Sequence, residues 1–515
     1  MCFFSFLPLL QLRGGRRLAS SCKLGASPLQ PSVRRENCRE GRCSHFLVVA
    51  YGIQGHINPA RTLAQRLAQI DGCTATLSVP ISGHRRMFPS HENSCDDEVR
   101  DGSISCIPFS DGKDDGSWPI ESEDRVQRRE ANFRSLSAIV SNLATSGRPV
   151  TCMVCTLSLP VVGEVAREHR LPLAIYWIQP ATVLAAYYHY FHGHDKLIVQ
   201  HGTNPGNEVN LPGLHPLRIR DMPTFFTEKT LDDLSKMVLQ ALRELFELMD
   251  QEKPITVLVN TFDALEDVAL KAIQPYMDNV FAVGPAVPPV GAPKHKNASE
   301  AQIHLFKHDE KNCMEWLDAQ LEKSVVYLSF GSLLSYTKRQ AEEILHGLQD
   351  HGQPYLWVVR VEGRAEEVDF CLREVKAGKG MVVEWCDQQK VLSHPSIGCF
   401  VTHCGWNSTL EAIVSGVPML AVPSWSDQPM NAYLVDKEWR VGIRAERDET
   451  GVLTREELTS CLDLLMGGSD KAMQIRANAK NLKERAHEAV ATDGPLETSL
   501  RNFIKSIRNL NQWRK

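Results

Sequence analysis

The sequence has no apolar run near the ~20 residues that a membrane-spanning helix needs, so no membrane span is expected. It has no basic excess: 57 Lys and Arg against 62 Asp and Glu leave a net charge of −5. A nucleic-acid partner needs a positive footprint and is not expected either. The 15 cysteines are scattered and odd in number, without disulfide-framework spacing, which suits a reducing compartment. Cys152-x-x-Cys155 falls in an apolar strand, where residues three apart face opposite ways. That is a core pattern, not a redox or metal pair. His189, His192 and His194 cluster in YYHYFHGH without cysteine or carboxylate partners at zinc spacing. The Asp-rich loop SDGKDDGSW lacks EF-hand spacing. No metal is therefore expected. The first strand–helix turn reads GIQGHINP and lacks GxGxxG, which argues against a nicotinamide dehydrogenase. There are no internal repeats.

A chain of 515 residues has room for two or more domains, each with its own core. Residues 1–43 do not read as fold. MCFFSFLPLLQL is apolar and is followed by seven arginines opposed only by Glu36 and Glu40. An Arg-rich, acid-poor segment suggests a transit peptide; a secretory signal would carry its charges first. A third reading is an upstream extension outside the working protein. The favoured expectation, which rests on a family resemblance given below, is a disordered, dispensable segment on a cytoplasmic, monomeric protein, with a plastid location as the alternative.

From His45 on, apolar β-rich runs alternate with helical patterns, the signature of α/β units with parallel sheets. HFLVVAYG is a buried strand. Asn58 suits an N-cap and Pro59 the first helical position after it, which leaves His56 in the connecting loop. Ligands bind at such loops, outside the carboxyl ends of parallel strands. PVTCMVCTLSL and ITVLVNTF are further strands. ATVLAAYYHYF is an aromatic helix, whose stripe, with Phe225 and Phe226, is core or the lining of an acceptor pocket. FAVGPAVPPVGAPKHKNAS (281–299) is dense in Pro and Gly and reads as a linker. A second set opens with SVVYLSF and the turn Gly331-Ser332. The Thr337-x-x-Gln340 pattern caps the next helix.

The most informative stretch runs from Trp385 to Gln428. GCFVTH is a strand, TLEAIVSG a helix stopped by Gly416, and VPMLAVP another strand. The turn His403–Ser408 therefore starts a helix, whose free N–H groups and positive dipole end seat a diphosphate. His403, Asn407 and Ser408 add donors there. Trp385 and Trp406 offer stacking faces, Glu411 can accept two ribose hydroxyls, and Asp427 and Gln428 can pair with sugar hydroxyls. Each has a plainer reading: a Trp beside a strand is usually core, and Ser408-x-x-Glu411 alone is a capping box. Asn407-Ser408-Thr409 is also a glycosylation sequon, as is Asn297-Ala298-Ser299. A glycan at Asn407 would block the proposed site, which fits a chain outside the secretory pathway.

In these residues the stretch resembles the donor-binding signature of plant family-one UDP-dependent glycosyltransferases. The resemblance spans about residues 44–510 and implies two facing Rossmann-like domains, the GT-B architecture. Residues 44–280 would bind the acceptor and 300–485 the UDP-sugar, with 486–515 ending in a helix that packs back on the first domain. It implies that Trp385 stacks on uracil, that Cys386 meets it through its backbone, and that Gln388 and Glu411 hold the ribose. His403, Asn407, Ser408 and Ser332 would hold the diphosphate. Trp406, Asp427 and Gln428 would meet the sugar. Gln428 favours glucose, its amide offering a donor and an acceptor to adjacent hydroxyls. Met430 departs from the usual small polar residue.

GHINP resembles the segment whose histidine is the general base, which assigns that role to His56. The expected reaction inverts the anomeric centre, with UDP-glucose as co-substrate and no cofactor. One departure bears on the acceptor. Most of the family has an Asp after the PV-x-C strand to orient and charge the histidine, and Thr156 stands there instead. The branch that resembles anthocyanin 5-O-glucosyltransferases and crocetin or other carboxylate glucosyltransferases shares this feature. Glu164, on the following helix, is a candidate substitute for the missing carboxylate. A less basic His56 suits acidic acceptors, so phenols and carboxylates of plant small molecules are expected over aliphatic alcohols. The alternative is a non-catalytic nucleotide-sugar-binding protein.

Overall fold

The computed structural model describes residues 43–89, 97–116, 122–202, 204–227, 231–287, 310–331, 337–360, 375 and 379–513. Residues 1–42, most of the expected linker 281–299 with Asn297, and Ser332 lie outside these; Phe281 and Ala282 belong to a strand of the first sheet, so the linker starts later than expected.

The first sheet holds β1 (Ser44–Val49), β2 (Cys73–Pro80), β3 (Val99–Asp101), β4 (Ile104–Phe109), β5 (Cys152–Thr156) and β6 (Leu173–Trp177). After a short hairpin of β7 (Glu208–Val209) and β8 (Leu217–Arg218), β9 (Thr256–Val259) and β10 (Asn279–Ala282) complete it. The spatial order is β10-β9-β6-β5-β1-β2-β4-β3, with only β3 antiparallel to its neighbour. Phe46, Leu47, Val48 and Val49 of β1 are fully buried, as a central strand covered on both faces requires. Cys152 and Cys155 are likewise buried in β5, in keeping with their core pattern.

The second sheet runs β13 (Gly380–Val383), β12 (Tyr355–Val358), β11 (Val325–Ser329), β14 (Ile397–Thr402), β15 (Met419–Ala421), β16 (Gly442–Arg444), parallel throughout. Each sheet therefore has one point where the winding reverses: between β1 and β5 in the first, between β11 and β14 in the second. Crevices open outside the carboxyl ends of the strands at such points. His56 follows β1 and Thr156 ends β5; Gly331 follows β11 and His403 follows β14. Both candidate half-sites thus sit where the topology opens the sheet.

The helix Gln54–Gln69 corrects one expectation. It begins before Asn58, with Ile53 in the extended N-cap position and no side-chain cap. His56 lies in the first helical turn, not in a loop, and Pro59 lies inside the helix. The Asn-Pro pair is a sound local start signal that is overridden because Ile57, Ala60, Leu63 and Leu67 all pack into the core. The Thr337 cap is as expected, its side chain accepting from the Gln340 N–H.

Several hydrogen bonds join the two sheets' domains. The Trp406 indole donates to the Asn260 carbonyl at 2.8 Å, and Asn407 Nδ2 to the Gly55 carbonyl at 2.9 Å. Trp425 Nε1 donates to Ser235 Oγ at 2.9 Å. Arg444 pairs with Asp221 at 2.7 Å. Met430 is fully buried and packs with the first domain's core, an apolar contact a small polar residue would not supply. The helix Pro495–Trp513 returns to the first domain, where Phe503 meets Phe46 at 5.5 Å between ring centroids.

Candidate active site

On the first domain, His56 Nδ1 lies 3.1 Å from Thr156 Oγ1. That hydroxyl also accepts the Tyr51 N–H at 3.2 Å and is fully buried. A hydroxyl oxygen has two lone pairs, so it can accept both Tyr51 N–H and an Nδ1–H. In that tautomer Nε2 carries the free lone pair. Burial pushes the His56 pKa down to about 3, because an imidazolium there would lose its water. Glu164 does not replace the missing carboxylate: its Oε1 binds Arg129 Nη2 at 2.5 Å on the helix Val161–Glu168. An arginine across the helix pair outcompetes a buried imidazole for that charge.

On the second domain, the helix Trp406–Ser415 starts at the N-cap Gly405 and ends at Gly416 in the left-handed conformation, φ 72°. Its first N–H groups have no partners within the helix, as at any helix start. Cys404, just before it, has φ 61°, strained for a residue with a side chain. His403 is gripped by two glycines: a Cβ at Gly331 or Gly405 would fall 2.6 or 2.5 Å from its Nε2. Burial lowers its pKa to about 4, so it is neutral at pH 7 and offers hydrogen bonds, not a charge.

Gln388 Nε2 donates to Ser408 Oγ at 2.8 Å and to Glu411 Oε2 at 2.6 Å, while its Oε1 accepts from the Tyr327 hydroxyl at 3.2 Å. The residues assigned to the ribose therefore form one connected group. Tyr327 had no flag in the sequence; an apolar strand gives no sign that one tyrosine turns its hydroxyl to a neighbouring turn. The Cys386 thiol also faces Tyr327 Oη, at 3.4 Å, and burial raises its pKa. Its side chain points inward, which leaves the backbone for any ligand. Trp385, half-buried, follows β13.

Two expectations at the sugar end change. Trp406 is only 4% exposed and its indole N–H is spent on Asn260, so it offers no open stacking face. Gln428 does not have both amide atoms free: Oε1 accepts the N–H groups of Ser424 and Trp425, each at 3.0 Å. Only Nε2 remains for a sugar. Asp427 is buried, which raises its pKa to about 6 against the opposing hydrogen bond of Asn431. Asn431 Nδ2 donates to Asp427 Oδ2 at 2.7 Å and to the Cys404 carbonyl at 2.8 Å. Asn431 was not picked out from sequence, although its i+4 spacing from Asp427 on a helix is a usable signal.

The aromatic helix is mostly core. Tyr187 is fully buried, and Phe225 and Phe226 are 3% and 5% exposed. His192 Nε2 meets Asp250 at 3.1 Å, and among the described residues no cluster could hold a metal ion. None of the helices in the described residues is long and apolar enough to cross a membrane.

Two doubly wound domains, with a histidine at one switch point and an anion-receptive helix start at the other, define a two-domain transferase of the GT-B architecture. The profile of the family "UDP-glucoronosyl and UDP-glucosyl transferase" matches residues 217–484, and the chain belongs to that family. It is 39% identical over 471 residues to the chloroplastic crocetin glucosyltransferase of Gardenia jasminoides, covering 90% of this chain and 97% of that protein. It is 40% identical over 490 residues to phloretin 4'-O-glucosyltransferase of Malus domestica, covering 91% and 99%. The crystal structure of Os79 from O. sativa with UDP superposes with a TM-score of 0.75 at 28% identity, over 90% of this chain and all of that one (100%). The chain is therefore a UDP-dependent glycosyltransferase.

Proposed function

We propose that the enzyme transfers glucose from UDP-glucose to a phenolic hydroxyl or a carboxylate of a plant small molecule, inverting the anomeric centre. The observation that carries this reading is His56, held at Nδ1 by Thr156 and neutral at pH 7 through burial. A phenolic acceptor gives its O–H proton to Nε2 as the oxygen attacks the anomeric carbon, whereas a carboxylate, already ionised at pH 7, attacks directly with no proton to give. The bond to the UDP oxygen breaks, and its charge develops at the N-terminus of Trp406–Ser415, where dipole and free N–H groups stabilise it. No metal ion is needed for that step, and turnover that survives EDTA is the check. Relatives named for crocetin and for the 4' oxygen of phloretin support the acceptor class.

The test is an acceptor panel with UDP-glucose, read by mass spectrometry. Glucosylation of acidic phenols or carboxylates above aliphatic alcohols is expected. His56→Ala should lose about 10²-fold or more of phenol turnover, the usual worth of a general base, and keep its UDP affinity. Near-full phenol turnover in that variant would remove His56 as the base.

A further inference from the structure

Pro59 stands inside the helix Gln54–Gln69, beyond the first turn, where proline is usually excluded. Its nitrogen has no hydrogen, and its ring presses on the carbonyl four residues back. That carbonyl belongs to Gly55, the residue directly before His56. The helix therefore leaves the Gly55 oxygen without its usual donor. That half-buried carbonyl finds another donor across the domain cleft: Asn407 Nδ2 donates to it at 2.9 Å. Asn407 lies in the first turn of Trp406–Ser415, at the helix start that faces the leaving group.

We infer that Pro59 and Asn407 form a registration contact, in which the proline frees the Gly55 carbonyl and the Asn407 amide uses it to fix the His56 turn against the donor turn. This rests on the roles proposed above for His56 and for the His403–Ser408 turn. Pro59 and Asn407 act here as positioning residues. A general base on one domain and a leaving group on the other are aligned only as well as the two turns are aligned, and a misplacement of ~1 Å can cost ~100-fold in rate. The Gly55–Asn407 hydrogen bond, one residue from the base, links the two turns directly. Proline in the helix interior is locally unfavourable, so its presence there calls for a gain made elsewhere.

The test is a double-mutant cycle in the full-length enzyme. Pro59→Ala returns the N–H, draws the Gly55 carbonyl back to the helix, and places a better helix former there. Its melting temperature should hold or rise, and its UDP dissociation constant should stay within about twofold, since no donor-site residue is substituted. Its single-turnover rate, measured with UDP-glucose and the best phenol of the panel, should fall about three- to tenfold, the net worth of one hydrogen bond. In an Asn407→Ala background, Pro59→Ala should change that rate no further. An unchanged rate for Pro59→Ala alone, or the same loss in both backgrounds, would overturn the inference. His56→Ala, measured beside them, reports separately on the base: its failure to slow turnover would remove that role, whereas the cycle reports on the contact.

Discussion

Thr156→Asp would place a carboxylate where a hydroxyl now lies 3.1 Å from His56 Nδ1. The site is fully buried, but the new group inherits both donors of the hydroxyl, the Tyr51 N–H and Nδ1–H. An opposite charge this close raises a histidine pKa by about 1–3 units, which would lift His56 from about 3 toward the lower end of the ordinary range. Each unit is worth about 1.4 kcal/mol of imidazolium stabilisation. If about half of that is expressed where the proton is in transit, the phenol rate rises ~3- to ~30-fold. A carboxylic acid, with a pKa of ~4, is already ionised at pH 7 and gives up no proton in the reaction. Ester formation should therefore change little. The assay is a competition in one tube: a phenol and a carboxylate acceptor share the enzyme, and the product ratio is read by mass spectrometry. That ratio does not depend on enzyme concentration or partial unfolding. The expected outcome is a shift toward the phenol glucoside in Thr156→Asp. An unchanged ratio, or a shift toward the ester, would refute the acidity argument.

The Asp427 pKa of about 6 predicts an acid limb in kcat/KM for UDP-glucose, with activity present above that value and lost as pH falls through it. Asn431→Leu removes a donor that favours the charged form, so the limb should move to higher pH; a limb that stays in place belongs to another group. Gln428→Ala should lower kcat about tenfold or more by removing its contact to the sugar and leave UDP inhibition nearly unchanged. It should also lower the melting temperature, because the Ser424 and Trp425 amides lose their acceptor. The intact enzyme should prefer UDP-glucose to UDP-galactose, and equal use of both would contradict the role given to Gln428. Deleting residues 1–43 should leave melting temperature and turnover unchanged, since β1 begins at Ser44. Insoluble or inactive truncated protein would show that the segment is needed.

Much of the proposed donor site was legible because its residues lie in short turns at the ends of apolar strands, where order in the chain sets order in space. Gln388, Ser408 and Glu411 meet as one group, in accord with their shared assignment to one end of the nucleotide. His56, on the helix that follows β1, and Thr156, at the end of β5, meet as well, because β1 and β5 are adjacent in the sheet though far apart in sequence. What stayed hidden depends on which atoms a side chain has left to offer. A sequence shows that residue 428 is a glutamine, not that its carbonyl is already held by two backbone amides. It shows a tryptophan at 406, not that the indole is turned inward to Asn260. The helix start failed for a different reason: Asn58-Pro59 is a good local signal, and tertiary packing on β1 outweighed it. Glu164 failed because a surface arginine competed for it. Ser332 lies outside the described residues.

The two ends of the donor site owe their shapes to different parts of the chain. Cys404 and Ser426 both have φ 61°, a conformation that costs a side-chain-bearing residue about 1–3 kcal/mol unless its surroundings fix it. Cys404 is fixed from within its own domain: its N–H reaches Thr402 Oγ1 at 3.1 Å and its carbonyl takes Asn431 Nδ2 at 2.8 Å. Ser426, next to Asp427, is fixed from the other domain. Its N–H donates to Thr224 Oγ1 at 3.0 Å, and its carbonyl accepts the Thr224 N–H at 3.0 Å. The strained Cys404 is thus fixed within its own domain, and it is Trp406 and Asn407, just after it, that bond to the other. The turn that carries Asp427 and Gln428 holds its strained shape through Thr224 of the first domain, so its geometry is a joint property of both halves of the molecule.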